Sequence, residues 1–455
     1  MCHAITSILM HTRRYSLSGR LIVFCRYPVP GRTKTRLIPH LGPVGAADLH
    51  RYLTEIIYSR ARKFARENYV DLEIRFEGSS IQRMKRWLGT SAKISKQGSG
   101  NLGIRMNNSF SNAFRNGFKR VVLIGTDIPH LTEEVLENAF NALDDKDVVL
   151  GPSTDGGYWL IGLKRPVDLF RDVEWGKDTV LKQTLDLVKE HGLNASLLEP
   201  LSDIDDCQDL LDWSPDMNWK APYLSVIIPA LNEEKNIANT VRKVINRDVE
   251  VIVVDGGSRD NTRMLAADAG AIIMEGQKGR PFQQNIGARA GQGRVFLFLH
   301  ADTIMPKDYQ NIIFDILMDP QVSAGGFSFK TDSDYSIMRI IEYVVNIRSK
   351  YLGLPYGDQG LFMKKSTFEC MGGFPEVPIA EDILLVNRLA KRGKISVASA
   401  AAVTSARRWQ KLGILRTTLI NCLILAGFYI GIPPEKLAFL YGRPRRTAPP
   451  QRSRG

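Results

Sequence analysis

The chain has 455 residues, too many for one ordinary domain and enough for two of about 200 each. Hydrophobic residues make up 44% and charged residues 24%, which excludes a disordered chain, a collagen-like repeat and a polytopic membrane protein. The formal net charge is +13 and it is concentrated: residues 383–455 hold fourteen Lys and Arg against one acid, Glu435, so the first 382 residues are neutral overall.

Such a basic end suits anionic lipid, polyphosphate or nucleic acid. The five cysteines (Cys2, Cys25, Cys207, Cys370 and Cys422) form no C-x-x-C pair. A disulfide scaffold and a cysteine zinc site are therefore not expected, and a reducing compartment is.

Residues 1–20 carry no apolar core of signal-peptide length and read as a disordered tail or as the product of a start codon placed too far upstream. A first α/β series opens at the apolar run Leu21–Tyr27. It continues through Val121–Asp127 and Asp147–Pro152 and fades near Leu211, giving a domain over 21–213. Residues 214–222, "SPDMNWKAP", read as a linker with a proline near each end. A second series over 223–442 contains Leu224–Glu234, Val249–Ser258, "AIIME" and Arg294–Thr303. Continuous Val/Ile/Leu runs suit strands buried on both faces of a mostly parallel sheet, with helical stretches completing βαβ units. Residues 443–455 form a basic tail.

Near the C-terminus, residues 412–433 include a 14-residue apolar stretch, Leu419–Ile432, interrupted only by Asn421. A spanning helix wants about 20 apolar residues. Three readings stay open: a docking helix, a helix lying on a membrane surface beside its arginines, or a span in which Arg416 snorkels.

The two series echo each other. "VVLIGTDIP" and "VFLFLHADTIMP" each end an apolar strand in an aspartate with a proline soon after. "STDGGYWLIGL" and "YGDQGLFMKK" each carry Asp and Gly before a short strand. The expectation is one α/β fold used twice.

Ligands of open α/β sheets bind at the carboxyl ends of strands. In the second domain those ends carry Asn232, Glu233 and Glu234, then Asp255, then Asp302. Any one alone is equally compatible with a helix cap. Together they suit a nucleotide-diphospho-sugar: one acid for the nucleoside, one for Mg²⁺ or Mn²⁺ on the diphosphate, and one elsewhere as base. Glu381 and Asp382 open a helical pattern, where acids also suit the helix dipole. "YGDQG" adds Asp358 and Gln359 between glycines, a loop able to approach a ligand closely.

In the first domain, "RYPVPGRTKTRL" follows the opening strand and offers Arg32, Lys34 and Arg36 to phosphates; a solvated basic turn is the alternative. It lacks the P-loop spacing. Asp127 and Asp155 stand at strand ends, and "SDIDDCQDL" packs four acids from Asp203 onward.

Five ordered motifs across 223–442 resemble a family 2 glycosyltransferase: "SVIIPALNEEKNIANTV", "VIVVDGGSRDNT", "GRPFQQNIGARAGQGRVFLFLHADT", "GDQGLFMKKSTFECMGGFPEVPIAED" and "SARRW". They are most similar to the bacterial selenodomain-associated, or arsenosugar-biosynthesis, transferases. The resemblance implies a GT-A fold and inverting transfer from a nucleotide-sugar donor with a divalent metal. It assigns the nucleoside to Asp255, the metal-diphosphate to Asp302 and the general base to Asp382, and it places Arg407, Arg408 and Trp409 near the diphosphate. His300 stands where the family usually has the first aspartate of Asp-x-Asp, so it either ligates the metal or packs.

The first half, Leu21 to Trp213, resembles a bacterial domain related to 2-phospholactate guanylyltransferase and, more distantly, to sugar-phosphate nucleotidyltransferases. "KTRL", "GTDIP", "GPSTDGGYWLIGL" and "DIDDCQDL" carry that likeness. It implies a metal at Asp127 and Asp205 and a second GT-A domain. The long glycine-rich opening loop of those enzymes is absent, so nucleotidyl transfer, glycosyl transfer and a non-catalytic role all stay open.

The combined expectation is α/β, with two tandem GT-A (nucleotide-diphospho-sugar transferase-like, Rossmann-like) domains of mostly parallel sheet. The function expected is glycosyl transfer from a nucleotide-diphospho-sugar to an unidentified acceptor. The location expected is cytoplasmic, at the inner face of the membrane through the basic end. The alternative is a non-catalytic nucleotide- or nucleic-acid-binding protein; no aromatic-interleaved basic surface accompanies the arginines, which disfavours nucleic acid.

Overall fold

The computed structural model describes residues 19–213 and 222–441. Most of the expected N-terminal tail, most of the linker and the basic tail lie outside the described residues. The chain divides into two compact units, Met1–Trp219 and Lys220–Gly455.

The first unit is built on a seven-stranded sheet. Its strands are β1 (Gly19–Arg26), β2 (Asp71–Glu77), β3 (Lys93–Lys96), β4 (Arg120–Ile124), β5 (Val148–Pro152), β6 (Tyr158–Leu163) and β7 (Ala195–Leu197). Their spatial order is β3-β2-β1-β4-β6-β5-β7. β6 alone runs antiparallel to its neighbours. β1 and β4 are buried along almost their whole length, as the unbroken apolar runs require. Helices pack on both faces. On one side, Phe110 of the Leu102–Arg115 helix stacks on Phe170 with ring centroids 5.8 Å apart. On the other, Leu49 and Leu53 of the Ile38–Glu67 helix meet Ile204 and Leu210.

The second unit repeats the plan with one addition. Its strands are β8 (Leu224–Ala230), β9 (Val249–Asp255), β10 (Ile272–Glu275), β11 (Val295–Phe298), β12 (Thr303–Ile304), β13 (Val322–Thr331), β14 (Leu361–Lys364) and β15 (Lys394–Thr404). The order is β10-β9-β8-β11-β14-β13-β15-β12. With short β12 set aside, this is the first sheet strand for strand, including the reversed sixth strand, β14, antiparallel to β11 and β13. The echo in the sequence is therefore an echo in topology. Phe296, Phe298, Phe368 and Phe374 pack under β11, with Phe298 edge-on to Phe374 at 4.8 Å. That aromatic block holds the strand whose end delivers Asp302.

In both sheets the strand order turns back at the first strand, between β1 and β4 and between β8 and β11. A crevice opens at the carboxyl ends of such a pair, and ligands of doubly wound folds bind there.

Candidate active site

Three loops meet at the β8/β11 switch. After β8 the chain turns through Asn232, whose positive φ of 55° is tolerated by asparagine. Its backbone N–H donates to Ser258 Oγ (2.9 Å), and its side-chain oxygen accepts from the Arg259 N–H (2.9 Å). Glu233 and Glu234 are tied to the same loop: the Glu233 N–H donates to Thr262 Oγ1 (2.7 Å), and Glu234 accepts from the Asn261 N–H (3.3 Å). These bonds join the β8 and β9 loops into one wall.

Asp255 ends β9 and is 2% exposed. One carboxylate oxygen accepts the Gly257 and Ser258 N–H groups at 3.0 and 2.9 Å. The other, Oδ1, is buried with no partner. An unpaired buried oxygen is costly, and a ligand hydroxyl or N–H would satisfy it.

Asp302 follows β11. Burial pushes its carboxyl up, and the Arg407 guanidinium, 3.1 Å away, opposes that push. Arg407 also grips Glu233 with both terminal nitrogens, at 2.7 Å for the longer bond. One cation thus sits between two carboxylates, and it lies 174 residues from Glu233 in the sequence. Its hydrogen bonds to Glu233 hold the guanidinium firmly charged. Beside it, the Trp409 ring lies 6.2 Å from Phe329, and its buried indole N–H has no partner. Arg408 is half-buried next to it.

Across the cleft, Asp382 lies in the first turn of the Glu381–Ala390 helix. Its carboxylate accepts from the Gly357 N–H (2.9 Å) and the Ile383 N–H (2.8 Å). A Cβ on Gly357 would fall 3.0 Å from His300 Nε2 and 3.5 Å from Asp382 Oδ2, so a side chain there would crowd the point where these groups meet. Burial, with Arg280 and Arg407 nearby, drives the His300 imidazole well below its usual value and keeps it neutral. Gln359 is fully buried and spends its amide on Phe327 O and Ser349 Oγ, so it holds the loop from inside.

Asp358 has a buried oxygen without a partner, and burial pushes its carboxyl up to about 6. The folded value lies above the ordinary 3.8, so the native state binds this proton more tightly than the unfolded chain does. Stability then falls as pH climbs from about 4 to about 6 and stays level above. Asp358→Asn should remove the loss: a gain of about 3 kcal/mol at pH 8 that disappears at pH 4, read from melting curves at the two pH values.

Arg280 was not singled out from the sequence. It opens the Arg280–Ala290 helix after Gly279 and acts electrostatically on His300, Asp302 and Asp358 at once.

Among the described residues no three His, Cys, Asp or Glu side chains form a metal cradle by themselves. Mg²⁺ and Mn²⁺ at phosphate sites need only one or two carboxylates, the rest coming from phosphate and water. Asp302 and Glu233, already converging on one cation, with neutral His300 in the same loop, fit that use.

In the first unit the matching switch is closed by a lysine. Lys34, at a positive φ of 48°, buries its ammonium between Asp127 Oδ1 (3.2 Å) and Asp205 Oδ1 (3.1 Å). Burial pushes the Asp127 carboxyl up, but Lys34 and His50 outweigh it and hold it well below the usual range. Arg36 reaches Asp205 at 3.2 Å, and Arg32 is exposed on the same loop. A cavity of about 260 Å³ adjoins them, lined by Asp127, Asp155, Asp203, Tyr158 and Trp175. Burial, with Asp205 and Asp155 nearby, pushes the Asp203 carboxyl up to about 6.

Lys34→Met should lower the stability of the first unit by about 2 kcal/mol, measured by urea denaturation. The figure is that of hydrogen bonds to charged groups, kept low because both aspartates are more than two-fifths exposed and water screens them.

Two family models match this chain, one in each unit. Residues 225–373 match the model described as glycosyl transferase family 2. Residues 60–177 match one described as an uncharacterized protein conserved in bacteria, DUF2064. A crystal structure from Desulfovibrio desulfuricans G20, provisionally named a nucleotide-diphospho-sugar transferase, is 32% identical to this chain. The match covers 44% of this chain and 88% of that one, with a TM-score of 0.41. The chain thus matches the family 2 glycosyl transferase model over part of its length. The second unit carries the glycosyl transferase family 2 match and the first unit the DUF2064 match.

Two curated relatives add shorter matches. Glycosyltransferase AglE of Haloferax volcanii is 32% identical over 93 residues, 18% of this chain and 31% of its own. The 4,4'-diaponeurosporenoate glycosyltransferase of Staphylococcus aureus is 38% identical over 61 residues, 13% of this chain and 16% of its own. The chain therefore spans less than a third of either relative's length.

Proposed function

We propose that the second unit transfers a sugar from a nucleotide-diphospho-sugar to an acceptor hydroxyl with inversion at the anomeric carbon. The observation that carries the reading is that a cation-bridged acid pair (Asp302 and Glu233) and a separate carboxylate, Asp382, both border His300: Asp302 follows it by two residues, and Asp382 shares the Gly357 Cβ position with its ring. The nucleoside rests on the Asn232–Glu234 and Asp255 wall, with Asp255 Oδ1 free to accept a ribose or base donor. The diphosphate faces Arg407, Arg408 and Trp409, whose indole N–H lacks a partner.

The acceptor oxygen attacks the anomeric carbon from the side away from the diphosphate. The carbon–oxygen bond to the phosphate breaks, its electron pair leaves with the nucleoside diphosphate, and Asp382 takes the acceptor proton. A bound Mg²⁺ or Mn²⁺ would neutralise charge on the leaving group, held by Asp302 and Glu233 with His300 at hand. With a metal held there, Arg407 would give up its grip on these acids, and the diphosphate would offer it a new anionic partner.

The first unit is proposed as a second sugar-nucleotide or nucleotidyl site. Lys34, Arg32 and Arg36 face phosphate there, and Asp127 and Asp205 are its acids. A cation at Asp127 and Asp205 would have to displace the Lys34 ammonium, which favours direct phosphate binding by Lys34. The basic C-terminal region is proposed to meet an anionic membrane surface from the cytoplasmic side; among the described residues no helix is long and apolar enough to cross a membrane. The likeness to arsenosugar-biosynthesis transferases makes a small soluble acceptor the first class to assay. Nucleoside diphosphate release from a donor panel, with and without acceptor, tests the reaction; no release and no donor binding would reject it.

A further inference from the structure

Two helices of the second unit turn apolar faces away from the protein. The Ser336–Leu352 helix exposes Ile337, Ile340, Val344, Ile347 and Tyr351, spaced three and four apart and so on one side. Its inward side is polar. Glu342 accepts from the Thr331 N–H and hydroxyl, both at 2.7 Å, Asn346 accepts from the Phe329 N–H at 2.7 Å, and Ser349 donates to Gln359 at 2.8 Å. This inverts the usual order, in which the apolar stripe faces the core.

The Ile414–Tyr429 helix exposes Leu415, Leu419 and Leu423 at four-residue spacing. Its other side packs Ile420, Ile424 and Phe428 on Ile379 and Ile383, the neighbours that bracket Asp382. The two helices meet through Tyr356: the Arg348 guanidinium lies 4.1 Å from its ring, and the ring packs into the Ile424 cluster.

Cations rim these faces. Residues 336–352 and 407–429 carry seven Lys and Arg against one acid, Glu342, which is buried and paired with Arg339 at 2.7 Å. Arg339, Lys350, Lys411 and Arg416 are exposed. The exposed acids nearest in sequence are Asp332 and Asp334, before the first helix, and Glu435, after the second. The sequence beyond, 442–455, adds five arginines and no acid. Apolar faces of this extent mark an interaction site. Exposed leucines and isoleucines rimmed by Lys and Arg, on helices too short to span, fit the boundary of an anionic bilayer.

We propose that the Ser336–Leu352 and Ile414–Tyr429 helices together seat the second unit on an anionic lipid surface, both apolar stripes entering the headgroup region. The inference stands on these two helices and does not depend on the transfer reaction.

The test is flotation of the full chain with vesicles of phosphatidylcholine alone and with about 30% phosphatidylglycerol, at low salt and at about 0.5 M salt. The wild type should float with the anionic vesicles only, and less at high salt. Ile340→Glu/Ile347→Glu and Leu419→Glu/Leu423→Glu should each reduce binding at least about tenfold while keeping the wild-type melting temperature. If a double variant melts early, Ile347→Ser and Leu419→Ser carry the test, each expected to weaken binding about threefold or more.

Three results would overturn the proposal. The wild type fails to float with anionic vesicles. Removal of 442–455 abolishes flotation while the face variants float normally. Or the wild type sediments as a dimer without lipid and the face variants as monomers, which would make the occupant a second copy. Donor binding measured on the same samples keeps this outcome separate from that of the glycosyl-transfer reading.

Discussion

Asp382→Asn should lower the turnover number for glycosyl transfer about a thousandfold, the middle of the range for loss of a positioned general base. The substitution keeps the size of the side chain and one oxygen, which can retain the bond from the Gly357 N–H at 2.9 Å and so hold the loop, while the bond now accepted from the Ile383 N–H at 2.8 Å is given up. What disappears is the ability to take a proton. Donor affinity should stay within about twofold, because Asp382 is assigned to the acceptor and not to the diphosphate. Steady-state kinetics with donor and acceptor, together with calorimetric titration of the donor alone, measure both quantities. A parallel loss of donor affinity would move Asp382 out of the base role.

Asp255→Asn should weaken binding of the nucleoside diphosphate about 10- to 100-fold, the worth of one charge-assisted hydrogen bond in a dry site. The asparagine oxygen can keep the Gly257 and Ser258 N–H groups that Oδ2 now accepts. The amide nitrogen then replaces Oδ1, the buried oxygen without a partner, and cannot accept from a ligand. The variant should therefore fold with its loop intact and fail at the nucleoside. Titration calorimetry with the free nucleoside diphosphate reads this without any need for an acceptor. Unchanged affinity would mean that the β9 end does not hold the nucleoside.

The parts of this molecule legible in its sequence are those whose physics is local. β1, β4, β8, β9 and β11 are continuous apolar runs because both faces of each are covered, and the acids that end them are visible as breaks in those runs. The longest strands were not legible. β13 carries Gly325 and Gly326, and β15 is alanine-rich over 398–402. Neither has the composition of a strand, and their nine-pair parallel ladder with each other supplies what propensity does not. β2 was hidden differently: Glu73 and Arg75 interrupt its apolar pattern, yet both are buried, with Glu73 accepting from Arg20 at 2.8 Å and from Arg75 at 3.1 Å.

The site divides in the same way. Asp255, Asp302 and Asp382 stand at element ends where one sequence can show them. The pairing of Arg407 with Glu233 joins residues 174 apart, and no local pattern encodes it. Arg280 reads as an ordinary residue at a helix start, and only folding sets it among His300, Asp302 and Asp358. Gln359 shows the reverse case: the loop between glycines was legible, but which of its side chains turns inward depends on Ser349 and Phe327 from other elements.

The central claim is that donor turnover belongs to the second unit and runs through Asp302. The most direct measurement is nucleoside diphosphate release from a panel of nucleotide-diphospho-sugars, with Mn²⁺ and with chelator, for the wild type, Asp302→Ala and Asp127→Ala. Release should depend on the metal, disappear in Asp302→Ala and remain intact in Asp127→Ala. Release that survives Asp302→Ala and disappears in Asp127→Ala would contradict it and place the working site at the Lys34 loop of the first unit.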